Sequence, residues 1–186
     1  MVTLGNKMNI PDSFSVPENY EFYITDSLVK VEFLPLNTTI AKDDFNTIIK
    51  NRTHLKGLFG KLDDWWPADH LTEAENYQTL LWHEEEFKKR ESFAYSIHLN
   101  EKYIGCLYIY GLKEVVEIVS IKDEDLLYVF MWTTEEIYKK GIDKLIFQQL
   151  KRWIEEKWCF ALADYPGRTS PLASSISNTA CWIKTF

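Results

Sequence analysis

The stretch that decides the fold is LLYVFMWTTEEIYKKGIDKLIFQQLKRWIEEKWCFALA, residues 126–163. It opens on a near-continuous apolar and aromatic run, 126–132, which is typical of a central strand buried on both faces. Apolar residues then recur with helical spacing over 142–154, and the run 158–163 returns as a strand. A strand, a helix and a strand in this order predict two adjacent parallel strands joined by a right-handed crossover.

Further elements precede this unit. The run 28–36 alternates as a strand and ends at a proline. A helix follows, for which Thr38 and Thr39 are candidate N-caps. Residues 1–26 contain two prolines and several turn formers, and we interpret them as an irregular lead-in that packs over the core.

A second helix is predicted from Thr72, because Thr72 and Glu75 match a capping box. It should run to about residue 90, with an apolar face made of Ala74, Tyr77, Leu81 and Phe87. His83 precedes three glutamates, and we expect it to be an exposed helix residue and neither a metal ligand nor a base.

Two aromatic and β-branched runs, 92–99 and 103–110, are separated by three residues and predict a β-hairpin. Gly105 within the second run indicates a bulge or the close approach of another backbone. The region 113–121 fits either a strand or a short helix.

Together these elements predict one mixed α/β domain over residues 1–186, with a mostly antiparallel sheet flanked by helices and one parallel β-α-β unit. Its core spans 28–168, and 169–186 form an irregular tail. With 186 residues, a mass of 22.0 kDa and 46% hydrophobic residues, such a chain can bury a core without metals or disulfides. The aromatic content of 15% favours a well-packed core or a cleft with aromatic walls.

The charge balance excludes several classes of partner. With 21 basic and 28 acidic residues the net charge is −7, which argues against binding to DNA, RNA or anionic lipid. The three cysteines are widely spaced and the four histidines lack helical ligand spacing, so neither a disulfide framework nor a sequence-local metal site is expected. No apolar run suits a signal peptide or a membrane span, and we therefore expect a cytoplasmic protein.

The order of elements over about 28–168 resembles the GNAT superfamily, the acyl-CoA-dependent N-acyltransferases. In that family a motif between the central strand and its helix holds the pyrophosphate of the cofactor. The motif reads Gln or Arg, two variable residues, Gly, one variable residue, and Gly or Ala. Alignment on Gly141 puts Tyr138 at the first position and Asp143 at the last, so one of the three defining positions matches.

The same loop can be interpreted without the resemblance. Amides at a helix N-terminus and nearby lysines attract phosphate, and Lys139, Lys140 and Lys144 form a local cationic spot. Asp143 opposes this interpretation, because a carboxylate at a helix start competes for the same amides and repels phosphate. The alternative is a capped, solvated helix start in which Asp143 is the N-cap.

The resemblance implies acetyl-CoA as the co-substrate and implies no metal. The acyl arm would lie along the central strand, and the pyrophosphate would lie at the loop. The implied cofactor-binding residues are Val129, Phe130, Met131, Trp132, Thr133, Tyr138, Lys139, Lys140, Gly141, Ile142, Asp143 and Lys144.

The resemblance also implies a base for the amine, a strand amide that polarises the thioester, and an acid for the leaving thiolate. The central strand contains no acidic residue, so the implied bases are Asp125 at its entrance and Glu117 upstream. Tyr165 lies near where the family places its acid. The structural alternatives are solvated turns for the two carboxylates and a Tyr165 packed beside Pro166.

In this family the region between the first two helices lines the acceptor side, and here it contains Asp63, Asp64, Trp65 and Trp66. Carboxylates beside indoles suit an alkylammonium through charge and cation–π contact. The alternative is a loop whose tryptophans fill the core while the aspartates face solvent. The expected partner is a small-molecule or protein amine, with no nucleic acid and no membrane.

The expected function is therefore an acyl-CoA-dependent N-acetyltransferase. The incomplete motif and the missing strand carboxylate also fit a catalytically degenerate GNAT-fold binding protein, or a dimeric structural protein without turnover. GNAT proteins continue beyond the last strand with a helix and two strands, and 169–186 are too few for all three. The sheet edge could then pair with a second copy in a homodimer.

Overall fold

The described residues form a six-stranded sheet in the order β1-β2-β3-β4-β5-β6, with helices packed against it. The computed structural model describes residues 10–24, 29–59, 66–111, 126–158 and 162–168, so the ambiguous region 113–121 and the tail 169–186 lie outside it. The elements are β1 (Tyr20–Ile24), β2 (Val29–Pro35), α1 (Ala41–Leu55), α2 (Glu73–Lys89), β3 (Phe93–Leu99), β4 (Lys102–Gly111), β5 (Leu126–Thr133), α3 (Glu135–Lys139), α4 (Ile142–Lys157) and β6 (Leu162–Asp164).

The predicted mixed α/β fold is confirmed. The four pairings from β1 to β5 are antiparallel, and β5 pairs with β6 in parallel. Helix α4 connects these two strands, as the order of elements predicts. No helix in the described ranges is both long enough and apolar enough to cross a membrane.

Strand β5 divides the hydrophobic core in two, because successive side chains of a strand point to opposite faces. Leu127, Val129 and Met131 pack on the face that α4 covers. Phe130 and Trp132 pack on the face that α1 and α2 cover. This two-sided burial is the reason that the sequence of β5 is apolar throughout.

Residues 20–24 form a strand, so the irregular lead-in predicted over 1–26 is wrong at this point. Strand β1 pairs with β2. Its residues Phe22 and Ile24 are buried, while Glu21 and Tyr23 are exposed. This alternation is typical of an edge strand with one buried face, and the turn formers before it conceal it in the sequence.

Helix α2 begins with the predicted capping box, in which Thr72 and Glu75 each accept a hydrogen bond from the other's backbone amide. The prediction of its apolar face is wrong for Tyr77 and Leu81, which are 43% and 36% exposed, whereas Phe87 packs against the core as predicted. The prediction that His83 is exposed is wrong as well. The buried residues are Asn76, Leu80, His83 and Glu86.

Strands β3 and β4 form the predicted hairpin. Asn100 and Glu101 join them with positive φ angles, as a two-residue type I′ turn requires. Gly105 marks a close approach, also as predicted, since a Cβ at this position would lie 2.1 Å from the carbonyl oxygen of Trp132. The register of β3 against β4 shifts beside this glycine.

We expect Gly105→Ala to destabilise the fold by about 3 kcal/mol or more, because the added methyl group meets paired backbone that cannot move aside. Gly57→Ala is a matched control. Gly57 has a φ of +72°, but a methyl group added there would meet no atom within 4 Å, so only the cost of a left-handed alanine, about 1–2 kcal/mol, should apply. Urea denaturation measures both losses, and equal losses would contradict the close approach.

Candidate functional site

Strand β6 pairs with β5 in parallel along its whole length of three residues. Residues 126–128 of β5 are in register with 162–164 of β6. Strand β6 ends there, while β5 continues to Thr133. Among the described residues no strand pairs with the β6 side of β5 from Val129 to Thr133, and we call this edge the strand gap.

The chain passes from β5 directly into α3 and α4. The side chain of Asn51 in α1 accepts a hydrogen bond from the amide of Glu135 at the start of α3 (2.9 Å). The carbonyl of Ile104 in β4 accepts one from the amide of Thr134 (2.9 Å). Gly141 separates α3 from α4 with a φ of 73°, a conformation that glycine adopts without steric cost. These contacts hold the start of α4 beside the end of β5.

A buried ion pair lies between the strand gap and α4, and we call it the Asp143–Arg168 clasp. The Arg168 guanidinium donates two hydrogen bonds to the Asp143 carboxylate, at 2.5 Å and 3.0 Å. The Thr133 hydroxyl donates a third to Asp143 at 2.9 Å. Arg168 also donates to the carbonyl oxygen of Met131 at 3.3 Å and lies 4.9 Å from the ring centre of Phe147.

The clasp decides the role of Asp143. Gly141 is the N-cap of α4, so the prediction that Asp143 is the N-cap is wrong. The Asp143 carboxylate is turned toward Arg168, and the guanidinium neutralises its charge. No described side chain caps α4, so its first amides remain orphan donors of the kind that bind anions.

The lysines of the loop differ in what they contact. Lys139 and Lys140 form ion pairs with Glu135 and Glu136 at 2.7 Å and 2.6 Å. Lys144 is exposed in the first turn of α4, and it makes no ion pair with any residue that the structure describes. Lys144 is therefore the lysine of the loop that is most available to an external anion.

The other predicted cofactor residues point in several directions. Three pack in the core on the α4 side: Val129, Met131 and Ile142. Two pack on the side of α1 and α2: Phe130 and Trp132. Tyr138 is 53% exposed. The groups that β5 offers to the strand gap are therefore mainly those of its backbone.

Tyr165 follows β6 directly and is buried on the α4 side. It is 5% exposed, and its ring packs edge-to-face against Phe147 at 5.3 Å. Burial is the main reason that the pKa of its phenol lies well above the usual value. This placement fits the packing alternative, and a role for Tyr165 as an acid stays a prediction.

Sequence reasoning does not single out Asp164, which lies where β6 ends beside β5. It is the last residue of β6, lies opposite Tyr128 and is 3% exposed. Its Oδ1 accepts a hydrogen bond from the amide of Tyr165 at 2.9 Å. In the sequence, an aspartate just before Tyr-Pro-Gly has the pattern of a solvated turn, and only the strand pairing shows that it is buried.

Aromatic side chains cover β4 and β5 on the face of α1 and α2. Trp66 is half-buried, and its ring lies 5.9 Å from those of Phe59 and Trp132. Further rings continue along the strands. We call the whole set the aromatic wall: Phe59, Trp66, Tyr108, Tyr110, Tyr128, Phe130 and Trp132. Trp66 thus fills the core as the loop alternative predicts.

The remaining predicted site residues lie outside the described part of the chain. They are Asp63, Asp64, Trp65, Glu117 and Asp125. Their assignment to the acceptor side or to proton transfer stays a prediction. Within the described ranges no group of three or more His, Cys, Asp and Glu side chains could hold a metal ion.

A buried polar cluster fastens α1 and α2 to β4. Asp44 is 1% exposed and accepts hydrogen bonds from the Tyr103 hydroxyl and from the Asn76 amide, the latter at 2.8 Å. The Tyr103 hydroxyl lies 3.0 Å from the sulfur of Cys106. Burial raises the pKa of the Cys106 thiol well above its usual value, which keeps it protonated and unreactive. The cluster therefore serves packing.

Two other buried groups of α2 have shifted pKa values. Burial lowers the pKa of His83 to about 4, and its ring lies 5.1 Å from that of Tyr108. Burial raises the pKa of Glu86 to about 7, although a hydrogen bond from the Ser92 hydroxyl acts in the opposite direction. Both groups are therefore largely neutral in the folded protein between about pH 4 and pH 7.

No protein-family model and no curated protein matches the sequence. Solved structures do match the fold. The ribosomal L7/L12 alpha-N-protein acetyltransferase RimL in complex with coenzyme A aligns with a TM-score of 0.58 and 16% identity, over 78% of this chain and 75% of that one. The ribosomal-protein-S5-alanine acetyltransferase from Vibrio fischeri aligns with a TM-score of 0.56 and 17% identity, over 85% and 80%.

A third match is the microcin C7 self immunity acetyltransferase MccE in complex with acetyl-CoA and AMP. Its TM-score is 0.52 and its identity 14%, over 70% of this chain and 65% of that one. These structures have the GNAT fold, and this chain has it too. The resemblance stated from the sequence is thereby confirmed at the level of the fold.

We expect Arg168→Met to destabilise the protein by about 3–5 kcal/mol, because the Asp143 carboxylate then stays buried without its partner. Adding Asp143→Asn should recover most of that loss, since neither charge remains. Urea denaturation of the wild type, both single variants and the double variant gives the coupling energy. Lys139→Met, which breaks an exposed ion pair, is the control and should change stability little. Losses at Asp143 and Arg168 that simply add would contradict the clasp.

We expect Glu86→Gln to change how stability depends on pH. Folding raises the Glu86 pKa from 4.5 to about 7, so this group's contribution to stability is lost as the pH rises through that window. Folding lowers the His83 pKa from 6.5 to about 4, so its contribution is lost as the pH falls. In the wild type, the contributions of Glu86 and His83 to the pH dependence of stability oppose each other. In Glu86→Gln, only the contribution of His83 should remain.

The free energy of unfolding of Glu86→Gln should therefore rise more steeply than that of the wild type between about pH 4.5 and pH 7. Urea denaturation across this range measures the difference. Glu73→Gln, a change at an exposed position of the same helix, should keep the wild-type slope. Parallel curves for the wild type and Glu86→Gln would contradict the shifted pKa of Glu86.

Proposed function

We propose that this chain is an acetyl-CoA-dependent N-acetyltransferase that transfers an acetyl group to an amine of a small molecule or a protein. The observation that carries the proposal is the strand gap beside the start of α4. There, β5 continues unpaired beyond the end of its parallel partner β6, next to a helix whose first amides no described side chain caps. An extended thioester arm and a pyrophosphate need these two features side by side.

The residues around the start of α4 fit such a co-substrate. The clasp removes the repulsion that a free Asp143 carboxylate would exert on phosphate. Lys144 and the orphan amides of α4 would hold the pyrophosphate. Acetyl-CoA, when bound, supplies an acetyl group that is activated as a thioester.

The chain's own part in the reaction is to position and to polarise. Backbone amides of the strand gap would donate to the thioester carbonyl oxygen, where negative charge develops. The attacking nitrogen must be a neutral amine, so a proton acceptor is needed close to the end of β6. Tyr165 is the candidate acid for the leaving thiolate, as the resemblance implies.

The structural neighbours suggest where to look for the acceptor. Two of them are described as acetyltransferases of ribosomal proteins and one as a self immunity acetyltransferase. Protein N-terminal amines therefore belong in an acceptor panel together with small primary amines. The net charge of −7 favours cationic acceptors through electrostatic steering.

A second candidate function is a GNAT-fold binding protein without turnover. One observation favours it, because the Arg168 guanidinium bonds to the Met131 carbonyl within the strand gap and lies close to the path proposed for the thioester arm. The motif also keeps only Gly141 of its three defining positions. Binding without turnover would distinguish this candidate from the enzyme.

Two measurements distinguish the enzyme from the binding protein without turnover. Isothermal titration with acetyl-CoA should give a Kd below about 1 mM, a free energy stronger than about −4 kcal/mol. Thiol release from acetyl-CoA, measured with a chromogenic disulfide reagent, should then appear with an amine from the panel. Binding without thiol release would support the second candidate, and absence of binding would overturn both.

We expect Lys144→Glu to weaken acetyl-CoA binding roughly fivefold, about 1 kcal/mol, because it places a negative charge beside the orphan amides of α4. Lys157→Glu makes the same charge change about 20 Å away at the other end of the helix, and it should leave the affinity within twofold. Isothermal titration measures both variants. Equal effects of the two changes would mean that the phosphates bind elsewhere.

A further inference from the structure

Asp164 lies on the face of the sheet that carries the aromatic wall. It pairs with Tyr128 across the parallel ladder, and paired residues of neighbouring strands point to the same side. The adjacent Ala163 packs in the core on the α4 side, so Asp164 faces the opposite side. Its carboxylate therefore lies beside Tyr128, at the end of the paired region of β5 and β6.

Among the residues that the structure describes, no cation forms an ion pair with this buried carboxylate. It is 3% exposed, and its one hydrogen bond from the described residues comes from the amide of Tyr165 at 2.9 Å. The nearest arginine along the chain, Arg168, is engaged with Asp143. A buried carboxylate that lacks a positive partner is costly, and an asparagine could accept the same bond from Tyr165. The hydrogen bond to the Tyr165 amide therefore does not explain why position 164 has an ionisable carboxyl group.

Its electrostatic surroundings favour proton uptake. Burial raises the pKa of Asp164, and the hydrogen bond from Tyr165 acts in the opposite direction. The titratable groups that its charge affects are Tyr128, whose pKa is raised to about 12 mainly by burial, and Tyr165. Neither supplies a positive charge at neutral pH, so no described titratable group that interacts with Asp164 balances its negative charge.

We propose that Asp164 binds the ammonium group of the acceptor and takes its proton. This inference rests on the proposed function and names the base that the acetyl transfer needs. The acceptor class is a primary ammonium whose carbon chain lies along the aromatic wall. There, Tyr128 and Phe130 are half-buried and offer cation–π contact beside the carboxylate.

The reaction balances with these groups. The ammonium gives one proton to the Asp164 carboxylate and becomes a neutral amine. The nitrogen lone pair forms the new C–N bond at the thioester carbonyl, and the C–S bond breaks with its electron pair on sulfur. The second nitrogen proton passes to the thiolate, and Asp164 later returns its proton to solvent. The products are the amide, the free thiol and one released proton.

The test uses the full chain with Asp164→Asn, which keeps an oxygen for the Tyr165 amide while it removes the charge. Binding of 2-phenylethylammonium chloride at pH 7.5 is followed by tryptophan fluorescence, and acetyl-CoA binding by isothermal titration. Asp164→Asn should bind the ammonium at least tenfold more weakly and acetyl-CoA within twofold of the wild type. Glu156→Gln removes the same charge from an exposed position of α4, and it should change neither.

Turnover gives the readout that distinguishes proton transfer from packing. With the best acceptor of the panel, kcat of Asp164→Asn should fall by about 10²–10⁴-fold. The acidic limb of the wild-type pH–rate profile should also disappear. Asp164→Glu should recover part of the rate, and thermal unfolding should show that Asp164→Asn is at least as stable as the wild type.

Each outcome decides a separate claim. Unchanged ammonium affinity and unchanged rate in Asp164→Asn, or no ammonium binding by the wild type, would overturn the assignment of Asp164. Failure of the wild type to bind acetyl-CoA would overturn the proposed function. In that case, loss of ammonium binding in Asp164→Asn would still support the ammonium site.

Discussion

The Arg168 side chain connects three parts of the molecule: the end of β5, the start of α4 and the turn after β6. Its guanidinium donates hydrogen bonds to the Met131 carbonyl in β5 and to the Asp143 carboxylate at the start of α4. Arg168 itself ends the turn that follows β6. A carboxylate placed at this helix start without a cation would occupy or repel whatever the α4 amides could bind. Asp143 stands where the GNAT motif has Gly or Ala. Because Arg168 neutralises the Asp143 carboxylate, this difference is compatible with an anion site, although it buries two charges.

Most of the fold could be predicted because its signals are local. The apolar run of β5, the helical spacing in α4 and the short connection between β3 and β4, which has two residues and not the predicted three, each reflect backbone geometry over a few residues. The buried face of α2 could not be predicted in this way, because that face is lined by polar side chains whose partners come from other elements. Asn76 bonds to Asp44 of α1, and Glu86 bonds to Ser92. A polar residue with such a partner is buried as readily as an apolar one.

In the candidate site, too, the features that local sequence signals reveal could be predicted, and those that depend on contacts with distant residues could not. The loop around Gly141 could be located from spacing and resemblance, since the left-handed glycine and the helix after it are local features. The ion-pair partner of Asp143 could not be predicted, because Arg168 lies 25 residues further along the chain. Asp164 is hidden in the sequence for a related reason. Its burial depends on pairing with β5, and the sequence around it is that of a turn.

Electrostatics around the start of α4 constrain how an acyl-CoA could be held in an acidic protein. Four basic residues lie in this region, Lys139, Lys140, Lys144 and Arg168, against three acidic ones, Glu135, Glu136 and Asp143. Most of these charges are paired with one another, so the local surplus is about one positive charge. Long-range attraction between this surface and a polyanion is therefore weak and further reduced by salt. Affinity for phosphate in the proposed site must come mainly from short-range hydrogen bonds of the α4 amides. These amides depend on the geometry of Gly141 and on the clasp that keeps Asp143 away from them.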